Sequence, residues 1–440
     1  MHRWRHLLCG ISLALGAGAS AADTLPQAVA RAIDRFPDFR AALANRRAAA
    51  QLIAQARGAL LPSVDATLGQ GRESSNNVST RPGGSVPLDR REAELAVTQL
   101  LFDGGAASGQ VDRFRARSDG AAHQVAAAAE ALALRVALAY LEVLRVQGLV
   151  DLAQQNAQRH AETLRQVEIL ADGGAGRRSD AYQAAARVAL AESNLTQLRG
   201  QLDQAQSGLR HLAGPPQGEQ LAQDSVEGKL PRALDEAVAQ AMSAHPLVRS
   251  AERDRVAAHA DRDSARARYG PRVNLELGVS RNRDLDGVPG LNADRFAMLR
   301  LRQNIFRGGA DEGRVREAEA RIDEALANVG RARNDVERDV RQAWEALRAD
   351  RARMPQLAVH AGMSVQVVEA YKQQFRIGQR SLLDLLNAEN EQFSARGAVL
   401  NALYTVTAGE MRVLAGMGKL MATLGVPLPD EARVEDEGKP

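Results

Sequence analysis

Two stretches, Pro62-Ser63-Val64-Asp65-Ala66-Thr67-Leu68-Gly69 and Pro271-Arg272-Val273-Asn274-Leu275-Glu276-Leu277-Gly278, decide the fold of this chain. In each, apolar side chains occupy every second position with polar or charged ones between them, the period of a β-strand with one apolar and one polar face. The two stretches are 209 positions apart, and the same offset places Leu25, Ala28, Val29, Pro37 and Arg46 on Leu234, Ala237, Val238, Pro246 and Arg255. Downstream the offset falls to 204, aligning Leu95, Gln99, Phe102, Gly104 and Gly105 with Leu299, Gln303, Phe306, Gly308 and Gly309. At an offset of 202, Gly176, Arg178 and Ser179 meet Gly378, Arg380 and Ser381. Prolines and glycines match in order together with the apolar positions, so the chain is a tandem repeat of two equivalent halves.

Each half has one anatomy. An Ala-rich helical stretch stops at Leu61-Pro62 or Gly270-Pro271, where proline biases the preceding residue to extended backbone. The first alternating strand follows, then a Gly/Pro/Asn/Ser-rich polar loop (74–89 and 282–293), then a second alternating run. There Leu95 and Val97 interleave with Glu94, Ala96 and Thr98, and Ala297, Leu299 and Leu301 with Met298, Arg300 and Arg302. This is one hairpin per half, with a long polar loop. After Phe102-Asp103-Gly104-Gly105 and Phe306-Arg307-Gly308-Gly309 the period becomes helical and stays so to about Leu170 and Arg376. At about 1.5 Å per residue each such helix is on the order of 100 Å long. Leu134, Leu138, Leu141, Gly148 and Leu152, and Val336, Val340, Leu347, Met354 and Leu357, mark a coiled-coil seam. Gly/Arg turns (173–178 and 377–380) then reverse the chain into returning helices capped by Ser179 and Ser381.

The division expected is a leader over 1–21, a first repeat over 22–213, a connector over 214–231, a second repeat over 232–426 and a tail over 427–440. The first repeat holds a hairpin at about 63–102, a long helix at about 106–170 and a returning helix at about 179–212. The second holds a hairpin at about 272–306, a long helix at about 310–376 and a returning helix at about 381–420. The leader is read from Arg3 and Arg5 before an apolar run from Leu7 to Ala19, then Ala19-Ser20-Ala21. Its pattern is that of a secretory signal peptide, with the mature chain starting near Ala22. The single cysteine, Cys9, lies inside it behind Leu8, so neither a lipid anchor nor a disulfide is expected.

Composition narrows function by exclusion. A net charge of +3 on 440 residues makes no case for nucleic acid. Every Ala- or Leu-rich stretch past the leader is broken by charge, as Glu130 and Arg135 break 126–144, so no transmembrane helix is expected. The histidines are scattered without metal-ligand spacing and the mature chain lacks cysteine, so neither a cofactor nor a metal site is indicated. Gly104-Gly105 opens a helix without the Lys-Ser/Thr of a phosphate loop, which disfavours an enzyme.

Strands of about ten residues, apolar on one side and polar on the other, have the dimension of an outer-membrane barrel wall. The outward face is Val64, Leu68, Leu95, Val97, Val273, Leu275, Leu277, Leu299 and Leu301, with Phe102, Tyr269, Phe296 and Phe306 as candidates for an interfacial aromatic belt. Four strands cannot close a barrel, and an open edge cannot be satisfied in lipid, so chains must combine.

The tandem halves, paired hairpins, very long helices, Phe-x-Gly-Gly pair and the run Phe375-Arg376-Ile377-Gly378-Gln379-Arg380-Ser381-Leu382-Leu383-Asp384-Leu385-Leu386 resemble the TolC family of outer-membrane channel-tunnels. The resemblance spans essentially the whole mature chain. It implies a mainly α fold with a β-barrel part, in which trimerisation completes a twelve-stranded barrel above a helical coiled-coil tunnel in the periplasm. It also implies a periplasmic adaptor and an inner-membrane transporter as partners. By the same resemblance Asp384 occupies the entrance aspartate ring, and Asn387 stands where some members carry a second aspartate. Asp180 and Arg380 resemble positions that link inner and outer coils in the closed state, with Phe375 aiding that lock.

The turn and loop style is more similar to members serving type I secretion, with an ABC transporter exporting a large polypeptide such as an adhesin or toxin. The alternative is multidrug or metal efflux, in which the inner-membrane partner is an RND pump. A soluble periplasmic coiled-coil scaffold is the third possibility, and it would need to cover the outward apolar face.

Overall fold

The structure is a computed structural model that describes residues 23–81, 84, 87–216, 221–222 and 228–434. The leader expected over 1–21, part of the connector and the end of the tail lie outside the described residues.

Helix α1 (Leu25–Arg35) starts from a capping box: the Gln27 N–H reaches Thr24 Oγ1 and the Thr24 N–H donates to Gln27 Oε1. It ends at Phe36, whose extended backbone (φ −67°, ψ 124°) is imposed by Pro37, and α2 (Pro37–Gly58) follows. The second half repeats the break at His245-Pro246, between α5 (Leu234–Ala244) and α6 (Pro246–Ala267). Each Ala-rich stretch is thus two helices.

The strands β1 (Ser63–Ser74), β2 (Pro87–Phe102), β3 (Arg272–Leu285) and β4 (Val288–Arg302) form one antiparallel sheet in the order β1-β2-β3-β4. The two hairpins are therefore joined through β2 and β3. The second hairpin lacks the long loop expected over 282–293: β3 and β4 stay paired out to Leu285 and Val288. Between those residues lie only Asp286 (φ 52°) and Gly287 (φ 79°), the pair of positive φ angles that a type I′ turn requires. The first hairpin does carry a longer polar loop, and Asn77 within it donates its side-chain N–H to the Asp286 carbonyl at 2.7 Å.

Both Phe-x-Gly-Gly segments turn from strand to helix with positive φ at both glycines. At Gly104 the close approach is also steric, since a Cβ there would lie 2.9 Å from the Ala267 carbonyl oxygen. Asp103 secures the start of the following helix by accepting from the N–H groups of Gly105 and Ala107.

Helices α3 (Ala106–Asp172) and α7 (Ala310–Arg376) each run 67 residues, α7 continuing through Pro355. The chain returns along them as α4 (Arg178–Ala213) and α8 (Leu382–Gly416), and α9 (Leu420–Leu424) closes the second half. Next to the sheet, α2 packs on α3, α3 on α6 and α6 on α7, so the helices repeat the strand order. Midway along, α1, α3, α8 and α9 enclose the largest core, which includes Leu25, Val29, Val136, Met411 and Met421. Tyr140 anchors it, its hydroxyl donating to the carbonyls of Asp23 (2.6 Å) and Ala222 (2.8 Å). Of the seam residues expected, Leu141, Leu152, Val336, Val340 and Leu347 are buried, whereas Leu134, Leu138, Met354 and Leu357 are only half-buried. Small residues explain the shift: Ala133 and Ala137 are fully buried and bring α3 close to its neighbours.

Candidate functional site: outward sheet face and helix tips

Register assigns the sheet's two faces. One row across the strands is Val64, Val97, Leu277 and Ala297; the next toward the helices holds Gln99, Leu275 and Leu299; beyond it Val273 faces Leu301. Toward the loops, Ala66, Leu95 and Val279 form a row, and Leu68 follows on β1. All nine outward residues expected from alternation therefore share one face. Val64, Leu68, Leu95, Leu277, Leu299 and Leu301 are exposed, while Val97, Val273 and Leu275, flanked by neighbouring strands, are half-buried.

The other face carries Glu94 beside Ser280 and Asp294, and Glu276 with its ion-pair partner Arg300 (2.8 Å). Phe296 belongs to this polar face and not to an outward belt. It pairs with Gly278 in register and its ring fills the space a Cβ there would need. Phe102 does stand on the outward side, opposite Val273, at the helix end of the sheet.

At the far end the helix hairpins close on a small core of Val167, Ala184, Leu382 and Leu386, with Phe375 packed against it. The expected site residues lie around this core. Ser381 caps α8, its hydroxyl accepting from the Asp384 N–H at 3.2 Å and donating to the Asp384 carboxylate at 2.8 Å. Asp384 thus sits in the first turn of α8, where the helix dipole favours negative charge. Ser179 does not play the equivalent part: Arg177 is the N-cap of α4, and the Ser179 hydroxyl donates to the carboxylate of its neighbour Asp180 at 3.5 Å.

Arg380 is placed by Gln374, whose Oε1 accepts from its Nε at 3.2 Å, by the Tyr371 ring 4.2 Å below it, and by Asp384 at 3.9 Å. Its carboxylate neighbour within the chain is Asp384 and not Asp180. One link between the two helix hairpins is made by Asn387, whose Oδ1 accepts from Arg187 of α4 at 3.0 Å. Tyr371, Gln374 and Arg187 were not singled out from the sequence, because no spacing rule relates them to Arg380 or Asn387.

A second contact also escaped sequence analysis. His160 of α3 and Glu389 of α8 meet at 3.3 Å with side chains only 4% and 2% exposed. Higher up, Glu130 lies in the central core, where burial raises its pKa from 4.5 to about 7 against hydrogen bonds from the backbone of Met421 and Leu420.

Among the described residues no group of three His, Cys, Asp or Glu side chains could hold a metal, and no helix is long and apolar enough to cross a membrane.

Comparison with known proteins agrees with this architecture. The family described as outer membrane efflux protein matches residues 28–215 and 237–419, one segment per repeat. The chain is 23% identical over 420 residues to outer membrane efflux protein BepC of Brucella suis, covering 92% of this chain and 87% of that one. It is 24% identical over 446 residues to outer membrane protein TolC of Salmonella enteritidis, covering 96% and 89%. To the alkaline protease secretion protein AprF of Pseudomonas aeruginosa it is 25% identical over 399 residues, covering 85% and 80%. Among solved structures, a membrane protein from Pseudomonas aeruginosa superposes with a TM-score of 0.77 at 21% identity, covering 89% and 90%. The open state of the Neisseria gonorrhoeae MtrE channel gives 0.76 at 22% identity, covering 90% and 89%. The soluble-scaffold alternative falls with these matches. By a match over most of its length, the chain belongs to the outer membrane efflux protein family of TolC-like channels.

Proposed function

We propose that this chain is the outer-membrane exit duct of a tripartite exporter, and that three copies close one barrel and one helical tunnel. The observation carrying this is the sheet: four strands, apolar on the outward face, with β1 and β4 unpaired along their outer edges. Backbone groups left open in lipid cost several kcal/mol each, so each β4 edge needs the β1 edge of a neighbouring copy. Since the helices repeat the strand order, the same rotation sets α7 of one copy against α2 of the next. The polar sheet face then lines a wet lumen. A periplasmic adaptor and an inner-membrane transporter complete the path.

For cargo, a polypeptide delivered by an ABC transporter in type I secretion comes first, supported by the relative named for alkaline protease secretion. Small-molecule or metal efflux with an RND pump is the second reading, supported by the relative named as an efflux protein. At the tips, three copies of Asp384 form a cation-selective ring and Asn387 contributes a neutral position beside it, while Arg380, Asp180 and Phe375 hold the entrance closed. Deleting the protein should remove one or more polypeptides from the culture medium. An unchanged secretome together with raised drug sensitivity reverses the order of the two cargo readings.

A further inference from the structure

On the outward sheet face the apolar alternation ends in arginine. Along the same face β3 passes from Leu277 and Val279 to Arg281 and Arg283, β2 from Leu95 to Arg91, and β4 from Ala297 to Arg295. Arg91 lies directly opposite Arg283 in antiparallel register. Like charges directly opposite each other destabilise a strand pair, and an anion held between them would offset the repulsion. All four arginines are exposed, and among the described residues none has an ion-pair or hydrogen-bond partner. On the opposite face Arg90 is paired with Glu73 and Glu92, and Arg300 with Glu276. An acid on the outward face, Asp89, stands opposite Arg72 further out.

Position along the strand identifies the occupant. Val273 to Arg281 spans about 27 Å of strand, or roughly 20 Å of depth at a barrel strand's tilt, close to the height of a barrel's apolar band. Arg91, Arg281 and Arg283 therefore stand where the hydrocarbon ends, at the loop side of the sheet, away from the periplasmic helices. Arg295, one row deeper, reaches the same level by extending along the apolar surface.

We propose that these arginines bind the phosphomonoester headgroups of lipid in the outer leaflet. Guanidinium forks match phosphate oxygens bidentately. A phosphomonoester carries close to two negative charges near neutral pH, enough to offset the Arg91 and Arg283 pair, which a zwitterionic headgroup cannot do. The proposal rests on the apolar face being lipid-facing.

The test is native mass spectrometry of the purified full chain in detergent, with bisphosphorylated lipid A or phosphatidylethanolamine added. Lipid A should be retained preferentially, retention falling about fivefold for each of Arg91→Gln and Arg283→Gln, and less for Arg283→Lys. Equal retention of phosphatidylethanolamine, or unchanged lipid A retention in the double Gln variant, overturns the site. The supporting reading is checked separately with Leu277→Cys and Leu299→Cys in vesicles. Labelling of both by a water-soluble maleimide means that the face is not in lipid and both ideas fail. Protection of both with unaltered lipid A retention sinks the arginine site alone.

Discussion

The Glu130 carboxylate of α3 accepts the backbone N–H of Leu420 at 2.9 Å, tying the first half's long helix to the start of α9 in the second. The group is buried, and burial is what raises its pKa to about 7. A carboxyl group with a folded pKa above its unfolded value keeps a proton that the unfolded chain gives up. Its contribution is therefore fully present below pH 4.5 and lost as pH rises through 7, by about 3 kcal/mol at most. Thermal unfolding of wild type between pH 4.5 and 8 should show this decline. Glu130→Gln should flatten the profile, and an equally steep profile in the variant assigns the decline elsewhere.

Gly278 exists to seat Phe296. Gly278→Val should destabilise the sheet by about 1 to 3 kcal/mol through overpacking, and Phe296→Ala in the same chain should restore part of the loss. Denaturation midpoints of the two single variants and the double variant decide it. Additive losses mean that the residues do not share the space.

His160 and Glu389 are a buried pair between α3 and α8. His160→Leu leaves the buried Glu389 side chain without its polar neighbour and should cost about 1 to 3 kcal/mol, whereas His160→Leu with Glu389→Leu should recover most of it. A double-mutant cycle from urea unfolding measures the coupling. No recovery in the double variant means that packing, and not charge, dominates at this contact.

At the helix tips, the proposed Asp384 ring predicts that Asp384→Ala weakens block by multivalent cations and leaves assembly intact. Planar-bilayer recordings with graded trivalent cation test this. Undiminished block removes Asp384 from the filter.

Arg380→Ser gives up the contacts with Gln374, Tyr371 and Asp384. Under the proposed gating role the variant should conduct more than wild type. An open probability equal to wild type would remove Arg380 from the gate.

Much of this was legible in the order of residues. Alternation around Val64 and Val273 depends only on the pleat, glycine pairs at 104–105 and 308–309 only on local φ, and the long helices only on uninterrupted period, so each could be read from near neighbours. The Asp286-Gly287 turn was legible too, but the surrounding Asn and Gly residues suggested a loop where strand pairing prevails. The break at Phe36-Pro37 followed from proline chemistry within a stretch that composition alone presents as one helix.

Tertiary structure decided everything that depends on partners distant in the chain. Pairing of β2 with β3 turns two hairpins into one sheet and brings Arg91 against Arg283. Phe296, set on the polar face by alternation with Ala297, Leu299 and Leu301, meets Gly278 there through the β3–β4 register. Burial of Glu130 and the His160 and Glu389 contact arise where helices cross, whereas the pairing of Arg380 with Asp384 spans only four residues. Local periodicity names which face of an element is apolar. Which residues meet across two elements is fixed by packing distance and register, quantities that no short window of sequence contains.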